Sequence, residues 1–189
     1  DAVNTESFLG AEYLDSLGGL GVNVFNALDP LAQTFTVDTS KNNGLMLDTI
    51  RLRFSEKPEA LGSTITVQIR PVDGNGRPRR NFVIPFAEKT LDPSQVTIDD
   101  FTDFRFDAPV YLSPGQYAIC VITNDSGYKL VTRNQTDDVR LNSLFVSRND
   151  GERTVLENTY LFVELYRHVF TATQETKVSC NLHSTFDTD

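Results

Sequence analysis

The only histidines in this chain of 189 residues are His168 and His183, so the sequence offers few groups that exchange protons near neutral pH. Acid–base or nucleophilic catalysis would need one of them beside a nucleophile and an orienting carboxylate. His168 lies in a long apolar run and His183 in a polar tail. There is no Gly-x-Ser-x-Gly elbow, no His-Glu-x-x-His pair and no glycine-rich phosphate loop. Asp99-Asp100 and Asp137-Asp138 are carboxylate pairs, but adjacent acids do not face each other across a glycosidic bond. The expectation is a non-enzymatic chain with no catalytic residue, no cofactor site and no transition-metal site.

Three weaker constellations remain. Asp99, Asp100 and Asp103 could offer oxygens to calcium, but without EF-hand spacing they read as a solvated acidic loop. Arg77, Arg79 and Arg80 form a basic tip that suits an acidic partner, and a solvated hairpin end accounts for them equally. Tyr111, Tyr128 and Tyr160 would make a sugar-binding platform if they were exposed together. Cys120 and Cys180 are too few for a disulfide framework or a thiolate zinc site; Cys120 reads as a buried strand thiol, with one disulfide between the two left open. Seventeen basic against twenty-six acidic residues give a net charge of −9, which argues against nucleic acid as a partner. No apolar run approaches the roughly 18 residues of a membrane-spanning helix.

The elements that must position these groups read as strands. Phe104 to Thr123 is strand, turn, strand, with Ser113-Pro114-Gly115-Gln116 suited to a type II turn. Tyr117, Ile119 and Val121 share one face and Ala118, Cys120 and Ile122 the other, as expected of a central strand covered on both sides. Ile50, Leu52 and Phe54 alternate with Arg51 and Arg53, and Ile65, Val67 and Ile69 form a second half-buried strand. Asp73-Gly74-Asn75-Gly76 and Leu91-Asp92-Pro93-Ser94 are turns, and Phe82 to Phe86 reads as an edge strand interrupted by Pro85. Tyr128–Arg133, Leu144–Ser147 and Tyr160–Phe170 complete about nine strands, the pattern of an antiparallel two-sheet β-sandwich of jelly-roll type over residues 29–170. Its expected core holds Ile50, Leu52, Ile65, Val67, Ile119, Val121, Val163 and Leu165, with Phe162 facing away. Arg167 shares the core parity and so needs an acid, for which Asp29 is the candidate.

Outside the sandwich, residues 1–28 read as an arm. Thr5 to Leu17 places Leu9, Tyr13 and Leu17 at helical spacing before Gly18-Gly19, which predicts a short helix needing a partner surface. Residues 171–189 are a polar second arm. The chain starts at Asp1, as a fragment or processed product would.

Several stretches resemble a module of the tail and baseplate structural proteins of contractile-tailed, T-even-like bacteriophages. They are Asp29-Pro30-Leu31-Ala32-Gln33-Thr34-Phe35, Ile69-Arg70-Pro71, Leu91-Asp92-Pro93-Ser94-Gln95-Val96, Pro109-Val110-Tyr111-Leu112 with Gly115-Gln116-Tyr117-Ala118, Ser143-Leu144-Phe145 and Leu165-Tyr166-Arg167. The resemblance covers about 29–170. It implies a virion component, a baseplate wedge or fibre-attachment piece, that docks other tail proteins through its arms within a larger assembly. The alternative is a carbohydrate-binding module of a phage tail with a host-surface glycan as its partner.

Overall fold

The structure is a computed structural model that describes residues 3–9, 24–26, 31–37, 44–134, 141–148, 152–156 and 158–170. Among these, thirteen strands run in chain order: β1 Val3–Leu9, β2 Val24–Asn26, β3 Leu31–Val37, β4 Leu45–Glu56, β5 Ile65–Pro71, β6 Glu88–Leu91, β7 Phe101–Leu112, β8 Gly115–Thr123, β9 Lys129–Asn134, β10 Leu141–Arg148, β11 Glu152–Leu156, β12 Thr159–Leu161 and β13 Val163–Phe170. One sheet has the order β1-β13-β4-β9-β12, with β7 also on β4 and β2 also on β9; the other runs β11-β10-β3-β8-β5-β6. The strand pairs are antiparallel.

Period-two patterning decides which side chains enter the space between the sheets. From the first sheet come Leu47, Ile50, Leu52 and Phe54 of β4, Phe104, Phe106, Val110 and Leu112 of β7, and Val163 and Leu165 of β13; from the second come Leu31 and Phe35 of β3, Ile65, Val67 and Ile69 of β5, and Tyr117, Ile119 and Val121 of β8. All eight expected core residues are buried in this one cluster. A bulge at Asp48 shifts the register between Leu47 and Thr49, which lets Leu47 and Ile50 both point inward despite their odd spacing. Gly44, at φ +120°, is required beside it: a Cβ there would sit 2.6 Å from the Leu112 carbonyl and 2.8 Å from the Tyr111 ring.

Two residues of the Asp29–Phe35 stretch lock the assembly. Gln33 is fully buried between the sheets, and its Oε1 accepts the Leu161 amide at 3.0 Å, a bond from the second sheet to the first. Thr34 sits where β10 bulges between Leu141 and Leu144. Its hydroxyl accepts the Ser143 amide at 2.8 Å and donates to the Ser143 carbonyl at 3.1 Å, filling both backbone valences that the bulge would orphan.

Several expectations are corrected. Ser113–Gln116 is not a hairpin turn: β7 pairs with β4 and β8 with β3 and β5, so the chain crosses here from one sheet to the other. The central position of β8 stands, since it lies between β3 and β5. Tyr160–Phe170 is two strands, broken at Phe162, whose amide bonds the Val131 carbonyl while the next residue turns to β4. Phe82–Phe86 is not a strand. Pro85 has no N–H to give, and the backbone meets β5 where the Ile84 amide bonds the Ile69 carbonyl and, just past the segment, the Ala87 carbonyl accepts the Ile69 amide. Val3–Leu9 is a strand on β13, not the start of a helix; the free edge of β13 offers a full ladder, which outweighs a short helix with nothing to pack on. The rest of that helix, from Gly10, and residues 171–189 lie outside the described residues.

Candidate functional site

The outer face of the first sheet gathers the ionisable groups. β4 sends Thr49, Arg51 and Arg53 outward, and antiparallel pairing sets β7 on one side and β13 on the other. Three cross-strand rows result. Glu164, Arg51 and Asp103 lie directly in register across the three strands; Tyr166, Thr49 and Arg105 form the next row; Arg53 and Phe101 pair in the row before, with Phe162 over them.

Arg51 is the hub. Its Nε donates to Asp103 Oδ1 at 2.6 Å, and its Nη1 to Glu164 Oε2 and to the Tyr166 hydroxyl, both at 3.1 Å. The Tyr166 hydroxyl in turn donates to Glu164 Oε2 at 2.9 Å. The guanidinium also stacks over Phe101 at 5.0 Å and Tyr166 at 5.5 Å. Burial acts to lower the Arg51 pKa, but the Asp103 and Tyr166 hydrogen bonds and the Asp103 charge override it and hold it above its ordinary value. Burial, and then the bond to Glu164, push the Tyr166 phenol up, with Arg51 opposing. Arg53 donates to the Asp99 carbonyl at 2.7 Å and lies 5.7 Å from the Phe162 ring centre. Phe162 therefore faces outward, as its parity predicted.

At the far end of the face His168 Nε2 lies 2.7 Å from Asp48 Oδ1, both side chains under a tenth exposed. The Thr49 hydroxyl donates to the other oxygen of Asp48 at 2.7 Å. Imidazole and hydroxyl thus bind the same carboxylate from two sides. A nucleophile–base pair would need the hydroxyl on the imidazole, whereas the Thr49 hydroxyl donates to the carboxylate.

The residues singled out by sequence fall elsewhere. Asp103 joins the Arg51 hub; Asp100 accepts the Phe101 amide at 2.7 Å, and Asp99 contributes its carbonyl to Arg53. Among the described residues no group of three or more His, Cys, Asp or Glu is placed to hold a metal ion. Of the proposed tyrosine platform only Tyr111 is exposed. Tyr128 and Tyr160 are core residues, and the Tyr128 hydroxyl donates to the buried Ser63 carbonyl at 3.0 Å, so the three cannot present a joint surface. Tyr128 shares strand parity with Leu130, a signal that places it inward. Cys120 is buried against Ala32, Ala118 and Phe145 on the outer side of the second sheet. Arg167 is half-buried. Asp29, Asp137, Asp138, Cys180 and His183 lie outside the described residues. Arg77, Arg79 and Arg80 are exposed on the loop between β5 and β6. No described helix is long and apolar enough to cross a membrane.

Sequence reading missed the hub. Its signal was present in the outward parity shared by Glu164, Tyr166 and His168 opposite Val163 and Leu165, and by Arg51 and Arg53 opposite Ile50 and Leu52.

No protein-family model matches the chain, and no curated protein matches it. Among solved structures it is similar to the crystal structure of the cysteine protease and lectin-like domains of Cwp84, a surface layer associated protein of Clostridium difficile. The identity is 13% and the TM-score 0.49, over 80% of this chain and 37% of that one. This chain therefore spans well under half the length of that protein, and a likeness at this level identifies neither a family nor a ligand.

Proposed function

We propose that the chain is a non-enzymatic structural component of a phage virion, a baseplate or tail module that fixes neighbouring tail proteins in place. The six ordered stretches of resemblance supply the tail reading. The observation that carries the non-enzymatic part is the matching of the charged face: Arg51 to Asp103, Glu164 and Tyr166, and His168 and Thr49 to Asp48. Groups arranged this way tie three strands together, whereas catalysis needs a proton-transfer group turned toward a substrate. A rigid face of this kind suits a body that must hold its shape under load.

The test is mass spectrometry of purified particles from lysates of the host that carries the gene, with antibody labelling to place the chain. Stoichiometric recovery in intact tails is the expected result. Abundance in the lysate with none in purified particles would overturn the proposal.

A further inference from the structure

The chain holds two Asn-Gly pairs, Asn43-Gly44 and Asn75-Gly76, and the fold surrounds their glycines differently. An asparagine side chain followed by glycine is open to attack from the next backbone nitrogen, because no Cβ obstructs the five-membered ring that forms. Gly76 meets that condition. It lies at the tip of the loop between β5 and β6, a Cβ built on it would have nothing within 4 Å, and Asn75 before it is exposed. Its φ of +73° also makes glycine a requirement of the turn, so the susceptible pair is built in. Gly44 contrasts with it. A Cβ there would meet the Leu112 carbonyl at 2.6 Å and the Tyr111 ring at 2.8 Å, a packing against β7 that leaves its peptide little freedom to rotate into a ring. Asn43 itself lies outside the described residues.

A turn restrains Asn75. Asp73 Oδ1 accepts the amides of Asn75 and Arg77, both at 2.9 Å, the Gly76 amide donates to the Asp73 carbonyl at 3.0 Å, and the Asp73 amide donates to the Arg77 carbonyl at 2.8 Å. The Gly76 nitrogen is therefore held back while the turn is closed. Beneath the tip, the Val72–Pro78 bridge and the Arg79 amide on the Pro71 carbonyl at 2.9 Å tie the loop to β5. Opening is thus confined to the tip, and an exposed tip opens at far lower cost than the sheets it joins.

We propose that Asn75 is a site of spontaneous covalent modification, deamidating through a cyclic imide with Gly76. Hydroxide takes the Gly76 amide proton, the nitrogen attacks Asn75 Cγ, and the Cγ–Nδ2 bond breaks as ammonia leaves with a proton from water. Water then opens the imide at either carbonyl, giving aspartate or isoaspartate. Either product puts a carboxylate where a neutral amide stood. Isoaspartate also adds a carbon to the main chain, so the Asn75 and Arg77 amides no longer stand at the spacing that Asp73 Oδ1 accepts, and the tip loses its closure.

The test is incubation of the purified full chain at neutral and mildly alkaline pH, with peptic digestion at acid pH and peptide mapping by mass spectrometry. The peptide holding Asn75 should gain the mass of an amide-to-acid exchange, faster at the higher pH, with isoaspartate detected by methyl transfer from an isoaspartate methyltransferase. The peptide holding Asn43 should lag several-fold. Asp73→Ala, which removes the acceptor of both amides, should speed the reaction at Asn75 several-fold. Asn75→Gln, whose longer side chain would have to close a six-membered ring, should stop it. Thermal melts of both variants should match the parent, since the tip lies outside the core. No mass gain at Asn75, equal rates at Asn43 and Asn75, or an Asp73→Ala rate equal to the parent's would each overturn the proposal. None of these outcomes bears on whether the chain is found in particles.

Discussion

At the residue scale the outer face rests on Arg51. Glu164 is buried, with its side chain 5% exposed, and a carboxylate in that position needs both the guanidinium and the Tyr166 hydroxyl. Arg51→Met should cost about 3 kcal/mol, the low end for breaking a buried pair because Arg51 itself is 30% exposed. Asp103→Asn, at 58% exposure, should cost under about 1 kcal/mol. Urea denaturation of the two variants side by side checks the ranking, and equal costs would contradict it. Tyr128 makes a second prediction. Burial, helped by the charges of Asp125 and Asp92, pushes its pKa from 10.0 up to about 12. Between those values the unfolded chain has lost the phenolic proton and the folded chain keeps it, so stability falls as pH rises through that window and is unaffected below it. Tyr128→Phe should remove that part of the alkaline loss at a neutral-pH cost of about 1 kcal/mol for the bond to Ser63. Denaturation midpoints from pH 8 to about 12 would show the two curves converging.

At the element scale, alternation in the sequence told inward from outward residues for β4, β5, β8 and β13, because a half-buried strand cannot hide its period. It could not tell which strands pair. Ser113-Pro114-Gly115-Gln116 specifies a change of direction, and whether the next strand returns to the same sheet is decided by what β3 and β5 offer β8. Likewise the partners of Arg51 lie 52 and 113 residues away, beyond any local pattern. The helix start read at Thr5 misled for a related reason: the open edge of β13 pairs with Val3–Leu9. Gln33 and Thr34 show what the motif around them does. Gln33→Leu should strand the Leu161 amide and cost about 1–3 kcal/mol. Thr34→Val keeps the shape but loses both bonds to Ser143, so the Ser143 amide should exchange with deuterium markedly faster while distant strands keep their protection. Unchanged exchange would mean that water repairs the bulge.

For the molecule as a whole, one core shared by both sheets makes separate melting of either sheet unfavourable. Leu31, Phe35 and Ile119 of one sheet lie in the same cluster as Ile50, Phe104 and Leu165 of the other. Far-ultraviolet circular dichroism and tyrosine fluorescence should therefore report a single coincident urea transition. Two separated transitions would mean that the sheets are held together less tightly than the Gln33 bond implies.

The pairing of β4 with β13 sets a schedule for making the protein. Leu52 faces Val163 and Met46 faces His168, so the central strand of the first sheet leaves the ribosome long before its partner exists. At ordinary rates of translation the interval is on the order of 5–20 s. Through that interval the edge of β4 that β13 will occupy stays open, although β7 and, at Phe54, β9 already pair with the strand. Arg51 and Arg53 keep the waiting strand charged, which protects the nascent chain from pairing with its neighbours on a polysome.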